Sequence, residues 1–439
     1  MRTLIIDCIR KVDDTVEISG FVQTRRDHGK IVFLDIADRS GLIQVVISLG
    51  VKLIHPPGIQ DVVSIEGKVQ KRPENLRNNN IPTGEIEILA EKVEVLSKAA
   101  ELPFDMGGKD LDLQLPTLLD FRSLTLRHPK IKEIFKVQAA ILEGFRKAAL
   151  DLDCTEIIVP TIVAGATEGG AEVFKVDYYN HKAYLSQSPQ LYKQMLVPVF
   201  ERVFVITKAY RAEPSVTTRH LSEITQLDCE IGFAEFPELL DLLEKVAIET
   251  TKFAEEKCKN VLNEFSVDPV AYGDIPRLTV KEAQDVILKE FQRDNTKEKD
   301  LTPQDEVDIC KWAKENHKSD FVTITHFPTS AKPFYTKPDP KDREYSLSYD
   351  LLFRGVEILS GSQRINDYEE LIESIKSRGM DPKNFEMYLM AFKFGMPPEG
   401  GFSFGLERMT MHILGLANIR EASLFPRDME RVDVRLNKT

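Results

Sequence analysis

The chain has 439 residues, too many for one typical domain and in the range of two or three. A hydrophobic fraction of 42% with 29% charged residues fits a soluble globular protein, no apolar run reaches membrane-spanning length, and the N-terminal MRTLIIDCIRKVDD is too short in its apolar part for a signal peptide. A net charge of −12 requires any nucleic-acid partner to meet local basic patches, and five scattered cysteines without a CxxC pair argue for a reducing, cytoplasmic setting and against a zinc site.

Residues 1–98 alternate short β-rich runs with turns: VEISGFVQTRR (16–26), IVFLDIADR (31–39), LIQVVIS (42–48), VVSIEGKVQKR (62–72) and GEIEILAEKVEVL (84–96). Five such strands predict a small β-barrel. Arg25, Arg26 and Lys30 supply charge, Phe33 a stacking face and Gln44 a base-edge donor and acceptor. Strand alternation alone suits Phe33 equally well to the barrel core. The polar loop at Lys71-Arg72-Pro73 reads either as a phosphate contact or as a solvated loop. Residues 99–129 form a linker that contains Pro103 and the Gly107-Gly108 pair and ends at Leu126-Arg127-His128-Pro129.

The larger domain spans 130–439. Residues 130–152 have apolar residues at helical spacing, and CTEIIVP then turns to a strand closed by Pro160. The glycine-rich segment 164–174 suits a loop that closes over a ligand. YLSQSPQLYKQ (184–194) follows; its Lys193 would, by residue type alone, be a surface lysine. A strand at 203–210 leads to Arg211 and Glu213, a polar loop carries Arg219 and His220, and a return strand at 224–233 completes an antiparallel hairpin. Alternation puts Gln226, Asp228 and Glu230 on one face and Leu227 and Cys229 on the other. A charged strand face beside a basic loop suits a site holding a polyanion next to a cationic group; the plain alternative is a solvated hairpin.

An amphipathic helix is expected at 236–263. The charged region 270–345 shows helical stretches at 280–293 and 304–316, a core strand at 321–328 and little else that can be interpreted. SLSYDLLFRGVEILSGSQR (346–364) reads as one strand bearing Asp350, Glu357, Ser360 and Arg364. Asp350 and Glu357, seven residues apart, would face opposite sides of a straight strand; Gly355 allows a turn or bulge that brings them together. Residues 367–395 read as helical. GGFSFGLERMTM (400–411) is a glycine-rich strand opening a helix near Leu406, with Arg408 in its first turn, where a nucleotide can approach the backbone. No GxxxxGK[ST] phosphate loop is present.

Together these segments resemble the class II aminoacyl-tRNA synthetases, and among them the aspartyl members of class IIb at archaeal/eukaryotic size. The helix–strand pair at 130–160 resembles motif 1, the Arg211-x-Glu213 hairpin motif 2 and GGFSFGLER motif 3, while QSPQLYKQ is similar to the aspartyl signature. The resemblance implies an α+β protein: an N-terminal OB-fold anticodon-binding barrel (1–98), a hinge (99–129) and a catalytic domain (130–439) built on an antiparallel sheet flanked by helices. It implies a cytoplasmic homodimer, joined through motif 1, that activates L-aspartate with ATP and Mg²⁺ and transfers it to the 3′ end of tRNA(Asp); whether tRNA(Asn) is charged too stays open.

The roles that the resemblance implies are specific. Arg211 and Arg408 are catalytic. Glu168, Ser188, Gln190, Lys193, Arg211, Asp228, Ser360 and Arg364 hold aspartate. Arg211, Glu213, Arg219, His220, Leu221, Glu357, Gly405 and Arg408 hold ATP, and Asp350, Glu357 and Ser360 the metal. Arg25, Phe33 and Gln44 read the anticodon. One departure is Ile224, which stands where the family usually carries an aromatic residue on adenine. An asparaginyl enzyme is the nearest alternative, opposed by Pro189 and Lys193. A lysyl enzyme would need an acidic pocket, and an amide-forming paralogue or a tRNA-binding scaffold are alternatives of another class.

Overall fold

The computed structural model describes residues 2–48, 50–51, 53–165, 173–214 and 217–436. The chain divides into two compact units, Met1–Lys130 and Ile131–Thr439. In the first, alternating apolar residues build β1 (Thr15–Asp27), β2 (Ile31–Ala37), β3 (Leu42–Ser48), β4 (Val62–Lys71) and β5 (Ile86–Ser97). These close into a barrel in the order β1-β2-β3-β5-β4, antiparallel except where β3 meets β5. Ile18, Val22, Leu34, Ile43 and Ile65 fill it. Closure leaves no unpaired strand edge, which is how a short β-rich sequence avoids pairing with other chains. Two short helices, α1 (Leu115–Asp120) and α2 (Arg122–Thr125), lie in what the sequence marks as linker.

The second unit opens with α3 (Pro129–Leu150), followed by β6 (Thr155–Glu156), β7 (Ile162–Val163), β8 (Lys175–Tyr178) and β9 (His181–Leu185). Next come α4 (Gln190–Phe200), β10 (Arg202–Tyr210), β11 (Glu223–Gly232), α5 (Phe236–Lys257) and α6 (Lys259–Glu264). The middle region supplies β12 (Arg277–Thr279), α7 (Val280–Phe291), α8 (Pro303–His317) and β13 (Phe321–Thr325). The last third supplies β14 (Ser348–Phe353), β15 (Val356–Gln363), α9 (Tyr368–Ser377), α10 (Glu386–Lys393), β16 (Glu399–Gly405) and α11 (Leu406–Leu414).

Eight of these strands form one sheet in the order β12-β13-β14-β15-β16-β11-β10-β6. It is antiparallel from β13 to β10, but parallel pairs at both ends, β12 with β13 and β10 with β6, make it mixed rather than purely antiparallel. Helices α3 and α5 cover one face, where Phe145, Leu243 and Val246 pack with Phe204, Leu227, Cys229 and Phe404. The same alternation turns Asp228 and Glu230 of β11 to the opposite face. That face carries the site.

Three expectations change. Residues 346–364 are not one strand but the β14–β15 hairpin: the chain reverses at Arg354 and Gly355, both at positive φ, of +48° and +90°. Glycine takes the second of these without strain. The helix expected at 236–263 breaks at Cys258 into α5 and α6, and the one at 367–395 is α9 and α10 with a left-handed Gly379 between them. The region 270–345, uninformative as sequence, provides outer strands of the sheet and α8, whose Glu306 reaches the site.

Candidate active site

Two adjoining features share the polar face of the sheet. The first is an open cleft of about 140 Å³ lined by Arg211, Arg219, His220 and Arg408, with Glu357 and Ser360 opposite and the backbone of Gly405 at its edge. Ile224 and Ile419 give it an apolar wall. The cations come from different elements. Arg211 follows β10, Arg219 and His220 stand on the hairpin loop, and Arg408 lies in the first turn of α11. Arg408 Nη1 donates to the Glu357 carbonyl at 2.8 Å and lies 3.6 Å from its carboxylate. Arg219 Nη1 lies 3.4 Å from Glu306, and His220 Nε2 lies 3.7 Å from Glu213. Leu221 is buried against Ile419 and Met411, which fixes the base of the loop.

Asp350 and Ser360 are direct partners across the β14–β15 ladder, so the hairpin brings Asp350, Ser360 and Glu357 to one end of the cleft. Lys332 donates to both Asp350 oxygens, at 2.9 and 3.1 Å. Burial, then the neighbouring Asp350 charge, pushes the Glu357 carboxyl above its ordinary range, against the pull of Arg408 and Lys332.

The second feature is a sealed cluster of charge next to the cleft. Lys193, on the first turn of α4, is 1% exposed, which removes the surface-lysine reading. Its Nζ lies 2.9 Å from Asp228 and 3.0 Å from Glu230. Burial alone would lower the ammonium's pKa, but Asp228 and Glu230 outweigh it and raise the group above its usual value, so Lys193 is charged. Arg364 Nε donates to Glu230 at 2.7 Å, and its other nitrogens reach Ser362, Gln190 and the Gly401 carbonyl. The cluster thus pairs two cations with two carboxylates, as buried charges require. Ser403 joins the two features: it lines the cleft and donates to Asp228 at 2.6 Å. A strip of cations beside a pocket of paired opposite charges can hold a polyphosphate next to a small zwitterion.

A family model described as tRNA synthetases class II (D, K and N) matches residues 114–429, and one described as an OB-fold nucleic acid binding domain matches residues 16–96. The chain belongs to the class II tRNA synthetases. The Aspartate--tRNA(Asp/Asn) ligase of Thermus thermophilus is 42% identical, covering 98% of this chain and 100% of that one. The Aspartate--tRNA(Asp) ligase of Picrophilus torridus is 40% identical over 95% of this chain and 97% of its own. Among solved structures, asparaginyl-tRNA synthetase from Pyrococcus horikoshii with asparaginyl-adenylate superposes at a TM-score of 0.88 with 31% identity, over 96% of this chain and 97% of that one. The aspartyl-tRNA synthetase of Entamoeba histolytica does so at 0.86 with 30% identity, over 98% and 92%.

In this synthetase the predicted residues fall into three places. Arg211, Arg219, His220, Leu221, Glu357, Ser360, Gly405 and Arg408 line the cleft. Gln190, Lys193, Asp228 and Arg364 form the sealed cluster, with Ser188 Oγ accepting from the Gln190 backbone at 3.2 Å. Arg25, Phe33 and Gln44 lie on the barrel. Glu168 lies outside the described residues. On the barrel, Phe33 stands outside the core cluster and meets His28 edge-on at 5.7 Å, so the core alternative falls. Arg25 pairs with Asp27 at 2.8 Å. Gln44 is buried: its oxygen accepts from Arg26 and Arg72, and its amide donates to Glu87.

Sequence reasoning missed four contributors. Glu230 was visible on the polar alternation of β11 but had no assigned partner. Ser403 sat in a stretch already singled out and Lys332 in the region that could not be interpreted, with nothing to mark them as reaching Asp228 and Asp350. Glu306 carried no signal at all.

Proposed function

We propose that this synthetase is an aspartate–tRNA ligase: it joins L-aspartate to AMP with release of pyrophosphate and passes the aspartyl group to the 3′ end of tRNA(Asp). The observation that carries the reading is Lys193, fully buried and charged beside Arg364 in the cluster that Ser403 joins to the cleft. Two fixed cations accept a carboxylate side chain. Neutral asparagine offers neither cation a charge and forgoes that charge-assisted pairing, worth about 1–3 kcal/mol. An acidic pocket for lysine is opposed by the same pair of cations.

In this reading the aspartate α-ammonium meets Asp228, Ser188, Gln190 and Glu168, and the side-chain carboxylate meets Lys193 and Arg364. The α-carboxylate oxygen attacks the α-phosphorus of ATP, the family's substrate, and the bond to the pyrophosphate breaks. Arg211 holds the α-phosphate and the carboxylate during attack, while Arg408, Arg219 and His220 hold the outer phosphates and the base end. Glu213 takes the adenine amino group. Catalysis is positioning and charge stabilisation by groups already in place.

Asp350, Glu357 and Ser360 fit Mg²⁺: all donate oxygen, and a cation there would relieve the Asp350–Glu357 repulsion that adds to burial in raising the Glu357 carboxyl. Bound there, the ion would neutralise phosphate charge. Arg25 and Phe33 would contact anticodon bases, with Gln44 reached through its network. The relatives named for both tRNA(Asp) and tRNA(Asn), at 42% and 38% identity, support charging of tRNA(Asn) as well. Motif 1, from α3 to β6, would form a homodimer contact, where Ile158 is 98% exposed in the single chain. No helix among the described residues is long and apolar enough to cross a membrane, which agrees with a cytoplasmic enzyme.

The test is ATP–pyrophosphate exchange with aspartate, asparagine or lysine, followed by charging of both tRNA transcripts. Exchange with aspartate alone is expected, and K193L should lower kcat/KM for aspartate at least about a hundredfold. Exchange with asparagine, or unchanged kinetics in K193L, overturns the reading.

A further inference from the structure

Behind the Lys193–Arg364 pair lies a carboxyl group that the aspartate reading leaves without a task. Glu399 opens β16 and is completely buried. In the β11–β16 ladder Gly232 stands opposite Glu399, and Glu230 opposite Gly401. Gly401 therefore vacates the side-chain position beside Glu230, and Glu399, two residues before it on the same face of β16, has its Oε2 buried with no hydrogen-bond partner among the described residues. A Cβ on Gly401 would overlap the Glu230 carboxylate and the Cys229 carbonyl.

Two neighbouring buried carboxyls do not both stay ionised, and the surrounding groups decide which keeps its proton. Glu230 faces Lys193 at 3.0 Å and accepts from Arg364 at 2.7 Å, so it is the carboxylate. Glu399 makes no ion pair among the described residues and feels Arg364 only at longer range. Its Oε1 accepts from the Gln194 amide at 2.7 Å, and Gln194 is oriented by Tyr388, whose hydroxyl donates to Gln194 Oε1 at 3.0 Å. That leaves Glu399 Oε2, buried and unpartnered among the described residues, as the oxygen free to carry a proton. The other groups near the pair are Asp228, taken by Lys193 and Ser403; Tyr349, whose hydroxyl donates to the Gly401 carbonyl; and Tyr335, under the Arg364 guanidinium. None offers Glu399 a positive charge. The electrostatics agree in direction: burial pushes both carboxyls up, Arg364 and Lys193 outweigh this at Glu230 and hold it down to about 2, and at Glu399 burial and the Glu230 charge together outweigh the pull of Arg364 and the Gln194 amide.

We propose that Glu399 is a positioning residue that sets amino-acid specificity: it stands as the neutral acid, donates its proton to Glu230, and so keeps two cations balanced by two carboxylates when the pocket is empty. An ionised Glu399 would leave the pocket with a surplus negative charge next to the point where the substrate carboxylate must enter. A missing one would leave Glu230 short of a donor and free to draw Lys193 and Arg364 away from the substrate. The inference rests on the aspartate reading and explains how a pocket already rich in acids admits an acidic substrate.

The test uses the full chain and two readouts. Infrared spectroscopy of the free enzyme should show the carbonyl stretch of a protonated carboxylic acid, shifted in D₂O, that disappears in E399Q and E399A. In ATP–pyrophosphate exchange, E399A should raise the aspartate KM at least about tenfold with a smaller change in kcat. E399Q keeps an N–H that can face Glu230 and should recover most of that loss. A thermal unfolding curve establishes that E399A is folded, and E399Q serves if it is not. A wild type that uses aspartate but lacks the band, or an E399Q as impaired as E399A, overturns this inference alone. A wild type that exchanges with asparagine and not aspartate overturns the aspartate reading and this inference together.

Discussion

Arg219 and Glu306 meet at 3.4 Å across 87 residues of chain, one on the loop of the β10–β11 hairpin and the other on α8. The contact holds a long, flexible cation in the mouth of the cleft proposed for the phosphates. Removing it should return rotamer freedom to Arg219, which a triphosphate must then pay to fix again. E306A should therefore raise the ATP KM about two- to tenfold and leave the aspartate KM unchanged, since the ion pair it removes is with Arg219 of the cleft and not with the Lys193 cluster. Steady-state exchange kinetics with each substrate varied would show the split. An effect on aspartate alone would contradict this account of the pair.

Ile224 forms part of the apolar wall of the cleft where an aromatic ring would cover more of a base. Aromatic stacking adds about 0.5–1.5 kcal/mol beyond area burial. I224F should accordingly lower the ATP KM about two- to tenfold in the exchange assay, provided the larger ring is accepted by the half-open position. A higher KM would indicate that the cleft has no room beside Ile224.

Lys332 occupies both oxygens of Asp350, one of the three groups proposed for Mg²⁺. The ammonium competes with a divalent ion for the same lone pairs. K332M should lower the Mg²⁺ concentration for half-maximal exchange several-fold. A rise in that concentration would mean that Lys332 supports the ion site by orienting Asp350.

His412, on α11, is held neutral. Burial, then the charges of Arg219 and Arg408, pushes its pKa from 6.5 down to about 4. The sign follows from proton uptake: between about 4 and 6.5 the unfolded chain binds this proton and the folded chain does not, so stability falls as pH drops through that window. The full loss, reached near the lower limit, is on the order of 3 kcal/mol. H412Q should lack this component. Denaturant unfolding of both proteins at pH 7 and pH 4.5 would measure the difference, and parallel acid sensitivity would assign it to other groups.

The sequence made the ligand-facing side of the site legible because periodicity and short motifs report local structure. The alternation in β11 separated Asp228 and Glu230 from Leu227 and Cys229, and the sheet keeps that separation. The barrel strands were legible for the same reason. What stayed hidden were partners brought together by topology. Nothing local to residue 306 or 332 foretells Arg219 or Asp350, and no pattern in PPEGG announces that Glu399 meets Glu230. The hairpin at 354–355 was concealed by a near-continuous run of strand formers, in which Gly355 was the single hint of reversal. Gln44 shows the limit from the other side: its residue type suits base recognition, while its burial and three bonded neighbours appear only in the folded barrel.

The strand order β15-β16-β11-β10 places the last sheet strand, residues 399–405, between two strands that precede it in the chain. Until that segment is synthesised, β11 lacks its inner neighbour, Asp228 lacks Ser403, and the Lys193 cluster has no floor. The contacts that complete the pocket span 134 to 205 residues, so the loop-closure entropy of folding is met late and all at once. On the ribosome, the emerging chain must carry an open β-edge and a set of unsatisfied charges through most of its translation. Arrested chains ending before residue 399 should accordingly be the protease-sensitive, chaperone-dependent species of this enzyme's biogenesis.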